Sequence, residues 1–232
     1  MLGITQKGPT IFKAMNTHTM TVWDCETGPE TDERLALAEP AFEAPANYKD
    51  PEKIAASIAE QRAKWKERAA LDPMTGRILA IGSMDEVTIV CDHGENREAD
   101  IIGNFFRVYE RHASCGERMV GFNIRSFDLP FIVRRAFITG VPVPPQLKPN
   151  GQSTWFKFPE TFIDLRDIWL CSEKNGHGSL GTLCKLMGLG EKTGSGADFA
   201  RLYADESTRQ QALDYLKNDL LLTSKLAERL LQ

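Results

Sequence analysis

Apolar and β-branched residues alternate with polar ones over 19–26 and stop at Gly28-Pro29, which predicts a strand. Two further β-rich runs, 77–82 and 87–91, flank a polar turn at Ser83, Asp85 and Glu86 and predict a hairpin. Short buried strands are predicted at 119–122 and 161–165. Between them the period changes. Ile101, Ile102, Phe105, Phe106 and Val108 give a helix over 98–113 its buried side, and a second helix runs over 127–137 with Pro130 in its first turn. Helices are also predicted over 180–187 and 207–230, with the 193–196 stretch between them as loop. The order is strand, insertion, hairpin, helix, strand, helix, strand, helices. It points to an α/β fold with a mixed sheet flanked by helices.

Three segments stand apart. Residues 1–18 carry no sustained pattern, and Thr10-Ile11-Phe12 reads equally as a short strand or as part of a flexible leader. Residues 28–49 are polar, with Pro40 and Pro45, and read as loop; 141–159 is a second Pro- and Gly-rich loop. Asp50-Pro51-Glu52 has the order of an N-cap, a first-turn proline and a first-turn acid, so a helix is predicted over 51–71. Ile54, Ile58 and Trp65 form its apolar stripe. Arg62, Lys64, Lys66 and Arg68 lie opposite and read as a solvated face in preference to a phosphate-binding patch.

Composition changes this picture little. The 232 residues are 42% hydrophobic and 26% charged, an ordinary globular balance that fits one domain. No apolar run approaches the ~20 residues of a membrane helix, and the N-terminal segment lacks a signal-type apolar core, so a cytoplasmic location is expected. Five scattered cysteines without a Cys-x-x-Cys pair suggest neither zinc nor disulfides. The net charge of −4 is unlike that of a non-specific nucleic-acid binder. Four carboxylates neutralised by cations would cancel it, so charge does not exclude a nucleic-acid partner.

Candidate chemistry sits in three acidic stretches. In Trp23-Asp24-Cys25-Glu26-Thr27, strand alternation puts Asp24 and Glu26 on one face, with Trp23 and Cys25 turned to the core. Two adjacent carboxylates repel unless they share a cation, and oxygen ligands suit Mg²⁺ or Mn²⁺. In Asn123-Ile124-Arg125-Ser126-Phe127-Asp128-Leu129-Pro130, Asp128 falls near a helix start, where a capping acid is the plain alternative. Tyr215 and Asp219, four apart, share a face of the last helix. Each stretch is weak alone. Among the other polar residues, Asp164 reads as a fold-ordering acid, Arg134, Arg135 and Asp214 as solvated, His177 as a loop residue and Cys25 as core.

Taken together, Asp24-x-Glu26, Asn123-x-x-x-Phe127-Asp128-x-Pro130 and Tyr215-x-x-x-Asp219 resemble the motifs of the DEDD 3′–5′ exonucleases, the DnaQ-like branch of the ribonuclease-H-like fold. The tyrosine marks the DEDDy subgroup. The Asn-x-x-x-Phe-Asp-x-Pro stretch and the helix-and-glycine segment from Leu180 to Lys192 look most like the proofreading domain of family B DNA polymerases, here standing alone. The match covers about 19–230 in motif order. It departs at 28–76, which is longer than the tight turn that usually joins the first two strands and makes a helical insertion after the first core strand.

The resemblance implies catalytic residues Asp24, Glu26, Asp128, Tyr215 and Asp219, the four acids holding two divalent cations, Mg²⁺ or Mn²⁺. Asp24 would bridge them, Glu26 and Asp219 would complete one site and Asp128 the other, and Tyr215 would orient the attacking water. Asn123 and Phe127 would sit beside the terminal nucleotide, Phe127 stacking on a base or, in preference, filling the core, and Thr27 would offer its backbone to the terminal sugar. The implied activity is removal of nucleoside 5′-monophosphates from single-stranded DNA 3′ ends, with replication or repair proteins as partners. RNA trimming is the alternative within the class, since acids do not read the 2′-hydroxyl. A catalytically silent nucleic-acid-binding module is the alternative outside it. The 51–71 helix, following the metal strand, is expected near the active-site mouth.

Overall fold

The computed structural model describes residues 20–85, 89–93, 97–149, 156–173 and 175–232. The 1–18 leader, the hairpin tip at 86–88 and the 150–155 part of the second loop lie outside the described residues.

Five strands form one mixed sheet in the order β3-β2-β1-β4-β5. The central strand, β1 (Met20–Pro29), pairs antiparallel with β2 (Gly76–Met84) and parallel with β4 (Arg118–Gly121). The predicted hairpin closes from β2 to β3 (Ile89–His93), and β5 (Phe162–Asp164) extends the parallel side. Strand alternation splits the core in two. Trp23 and Cys25 enter one layer with Phe105, Phe131 and Phe162. Val22 enters the other with Val120, Leu183 and Leu220. Trp23 is fully buried, its ring centroid 4.7 Å from that of Phe105 and 6.0 Å from that of Phe162.

The first layer is covered by α3 (Glu98–Cys115) and α4 (Asp128–Thr139), both ended by a left-handed glycine, Gly116 (φ 70°) and Gly140 (φ 75°). On the second face lie α6 (Leu180–Leu186) and the long α8 (Arg209–Leu230). This is the mixed sheet flanked by helices that the pattern predicts, and the ribonuclease-H-like arrangement that the resemblance implies. The insertion is helical as well, although its elements differ in detail. A helix α1 (Asp32–Ala38) occupies part of the segment read as loop; only Leu35 in it is buried, too little apolar signal to announce a helix. Helix α2 (Pro51–Glu67) starts where expected, with Asp50 accepting the Glu52 N–H at 3.0 Å, and gives way to a 3₁₀ turn at Ala69–Leu71.

The α2 stripe does not enter the main core: no residue of α2 is buried, and Trp65 packs edge-on against Phe42 of the insertion itself. Its basic side is engaged locally, Arg62 by Glu39, Lys64 by Glu60 and Lys66 by Asp32. The solvated-face reading of these cations is the one the structure supports.

Arg135 corrects the sequence reading. It is 1% exposed, not solvated. Its guanidinium reaches Glu30 at 2.5 Å, Glu98 at 2.6 Å and the Pro73 carbonyl at 2.9 Å. Its partners come from positions 37 to 105 residues away, so no local pattern could announce them. Arg134, beside it, is exposed as expected.

Candidate active site

A cavity of about 500 Å³ opens where β1, the start of α4 and α8 meet. All four motif acids line it, with Tyr215, Asn123 and Phe127. The acids arrive by three routes. Asp24 and Glu26 project from β1 toward α8, as alternation requires. Asp128 is the first residue of α4. Tyr215 and Asp219 lie one turn apart on the buried side of α8.

Oxygen atoms of Asp24, Glu26 and Asp219 lie within 4.8 Å of one another. Glu26 (7% exposed), Asp128 (4%) and Asp219 (3%) are buried. Burial, then the charge of Asp219, pushes the Asp24 carboxyl up from 3.8 to about 7. Burial and the neighbouring Asp24 raise Glu26 and Asp128 well above the usual carboxylate range. Asp219 is raised by burial against the opposing pull of Lys192. One carboxylate oxygen of Asp219, Oδ1, is buried with no hydrogen-bond partner among the described residues. Concentrated, incompletely satisfied negative charge of this kind calls for cations, and the oxygen-only donor set fits a hard divalent ion.

Burial, then the Asp219 charge, raises the Tyr215 phenol, so its hydroxyl keeps its proton at neutral pH. Cys25 is buried, and burial raises its thiol too, which suits the core reading over a nucleophile. Phe127 lines the cavity while packing 5.6 Å from Phe131 at the core's edge. The Thr27 hydroxyl donates to the Ala70 carbonyl at 2.7 Å, fastening the end of the insertion to β1; its side chain is outside the cavity lining, and its backbone is the part expected at the terminal sugar. No residue between 30 and 71 lines the cavity either.

Asp164 does order the fold. Its carboxylate accepts the backbone N–H groups of Asn123 (2.8 Å), Arg125 (2.9 Å) and Arg166 (2.9 Å). Asn123 is thereby held at φ 65°, a conformation that asparagine tolerates better than most residues. Asp214 is exposed, paired with Gln210 and Lys217.

Two contributors escape the motif reading. The Lys192 ammonium lies 2.6 Å from Asp219 Oδ2 and 5.2 Å from the centre of the Tyr215 ring. Its lone basic position in a glycine-rich loop carried no signal beyond the family-like segment. Gly82 pairs with Asp24 across β1 and β2. A Cβ there would lie 2.9 Å from Leu220 Cδ1 and 3.0 Å from Leu216 Cγ. The missing side chain lets α8 descend onto the sheet and bring Tyr215 and Asp219 to Asp24. A glycine inside a strand run was the available signal. Gly82→Val should therefore cost about 1–3 kcal/mol by overpacking and lower cleavage more than its stability loss explains. Urea melts beside single-turnover rates test this, and a wild-type rate in the variant would remove Gly82 from the site.

Residues 73–227 match the family model described as "Predicted 3'-5' exonuclease related to the exonuclease domain of PolB". That span contains Asp128, Tyr215 and Asp219; Asp24 and Glu26 lie before it, on the strand that pairs with both halves of the sheet. Solved structures give 115 matching chains. One is the family B DNA polymerase from the hyperthermophilic archaeon Pyrobaculum calidifontis, with a TM-score of 0.60 and 18% identity. The alignment covers 91% of this chain and 24% of that one, so the chain spans about a quarter of the polymerase's length, and at this identity the likeness speaks to the fold. A comparison with curated proteins finds no match.

Proposed function

The chain belongs to the family of predicted 3′–5′ exonucleases related to the exonuclease domain of PolB, and from that premise we propose that it shortens single-stranded DNA from the 3′ end, releasing nucleoside 5′-monophosphates, as one domain spanning 1–232. One observation carries the reading. Three acids from two remote segments place their oxygens within 4.8 Å, with Asp128 and Tyr215 lining the same cavity.

Asp24, Glu26 and Asp219 would hold one Mg²⁺ or Mn²⁺, and Asp128 with Asp24 a second. Bound there, a pair of such ions activates water and stabilises both the attacking and leaving oxygens of an in-line displacement. The chain's own groups do the rest. The protonated Tyr215 hydroxyl orients the attacking water as a donor and acceptor, not as a base. Lys192, beside Asp219, offers a positive charge to the anionic oxygens of the phosphate under attack. Phe127 and Asn123 border the space left for the terminal nucleotide. Among the described residues no helix is long and apolar enough to cross a membrane.

The test is a time course on a 5′-labelled single strand, as DNA and as RNA, with Mn²⁺, Mg²⁺ or EDTA, beside Asp219→Ala. A ladder shortening from the 3′ end, dependent on metal and lost in the variant, is the expected result. Preference for the RNA ladder would move the substrate to RNA. Metal-independent binding of either strand by the folded wild-type protein, without cleavage, would make it a binding module.

A further inference from the structure

We propose that helix α5 (Leu165–Leu170) and the loop behind it seat the nucleotides upstream of the scissile bond, with Arg166 on a backbone phosphate and Trp169 stacked on a base. This deepens, and rests on, the exonuclease reading. Arg166 lines the same cavity as the acids and Lys192, and it lies beside Asn123.

The Arg166 guanidinium is held only loosely, by neutral oxygens: 3.5 Å to Asn123 Oδ1 and 3.4 Å to the Gly176 carbonyl. Its backbone, by contrast, is fixed by Asp164, the same carboxylate that fixes Asn123. A fixed stem with an unspent planar fork of donors suits a phosphate oxygen pair. Trp169 lies three residues further along α5, so the two side chains share a face about 5–6 Å apart at Cβ, the scale of one nucleotide step in an extended strand.

Trp169 is 38% exposed, so part of its ring is open to solvent. Its N–H donates to the His177 carbonyl at 2.8 Å. The next residue, Gly178 (φ +138°), lines the cavity, and a Cβ there would lie 2.8 Å from the indole nitrogen. The ring therefore abuts the cavity rim with no side chain between. Aromatic faces alternating with cations bind single strands without reading sequence. Beyond Tyr215 a second cavity of about 210 Å³ is bordered by Asp198 and Asp214, and no lysine or arginine is among the residues that line it.

Two substrates separate this seat from the catalytic centre: a 5′-labelled single strand about ten nucleotides long, and the p-nitrophenyl ester of thymidine 5′-monophosphate, which has no upstream nucleotide. Trp169→Ala should raise KM for the strand roughly 5- to 150-fold, the range of one lost base stack. Arg166→Ala should raise it about tenfold or more and flatten the salt dependence of strand binding by about 0.7 in log–log slope. Neither should alter kcat/KM for the ester by more than about twofold, a change of roughly 0.4 kcal/mol. Trp169→Phe keeps a ring without the N–H and should stay close to wild type on the strand.

Wild-type KM for the strand in both alanine variants would overturn the proposal and leave the exonuclease intact. So would an equal loss on the ester, or a Trp169→Phe defect as deep as that of Trp169→Ala, since either makes the residues mere supports of the fold. Cleavage of neither substrate by the wild-type protein with Mn²⁺ would overturn both readings.

Discussion

Asp24→Asn will abolish cleavage and, at pH 8 without divalent cations, raise the melting temperature. The two effects have one cause. Asp24 lies among Glu26, Asp128 and Asp219, and its carboxyl is pushed from 3.8 to about 7 by burial and by Asp219. A folded-state value above the unfolded one means that the native protein binds the proton more tightly. The contribution to stability is present below about 4 and is lost as pH rises through about 7. At pH 8 the ionised Asp24 is a net strain on the fold, and the uncharged amide relieves it. Every kcal/mol relieved is worth about 2–4 °C at this chain length. The advantage of the variant should vanish near pH 4. Adding Mn²⁺ at pH 8 should reverse the order, because the wild-type protein gains binding free energy that the variant lacks. Removing one carboxylate from the candidate cation site takes away several kcal/mol of transition-state stabilisation, so the rate should fall about 10³-fold or more. Thermal melts at both pH values with and without Mn²⁺, beside the strand assay, check all of this. A variant no more stable than wild type at pH 8 in EDTA would show that the cluster is not strained as described.

What the chain announces and what it hides follow the range of each interaction. Asp24 and Glu26 share a face because strands alternate, and Tyr215 and Asp219 share one because helices repeat; both rules act within five residues. The motif order then brings the three stretches together, and the structure places their acids around one cavity. The central strand, the hairpin, α3, α4 and α8 were legible for the same local reason. Helix α7 (Gly196–Ala204) is not predicted by the pattern, because it begins at the last residue of the glycine-rich 193–196 stretch. Its signals were present: Ser195 caps the Asp198 N–H, and Phe199 and Tyr203 are buried one turn apart. Lys192, Gly82 and Arg135 act through residues at least 27 positions away, on Asp219, α8 and Glu98 respectively. No pattern along the chain encodes such a distance.

Arg135→Ala will do the opposite of Asp24→Asn: it will lower stability severely while leaving the chemistry nearly intact. Arg135 is the shared counter-ion of Glu30, directly after β1, and Glu98, at the start of α3. Burial pushes Glu30 up, and Arg34 and Arg135 together outweigh it, holding the carboxyl below its usual value. Truncating one partner of a buried ion pair costs about 3–5 kcal/mol, because the remaining charge stays buried. Arg34, half-exposed and 2.9 Å from Glu30, spares part of that, so the lower half of the range is expected. Glu98 has further work, since its Oε1 accepts the Ile78 N–H at 2.8 Å. The melting temperature should drop by about 6–16 °C. Arg135 does not line the cavity, so kcat at 20 °C should stay within about twofold. A shift below about 2 °C would mean that water already screens these charges. The protein thus holds two buried acid clusters and treats them differently. The one at the foot of the insertion is neutralised from within by Arg135 and fixes the fold. The one on β1 and α8 has, among the described residues, a single ion pair, from Lys192, against several carboxylates. That shortfall of positive charge is what makes the second cluster the candidate site for a divalent cation, and the first a fixed point of the sheet.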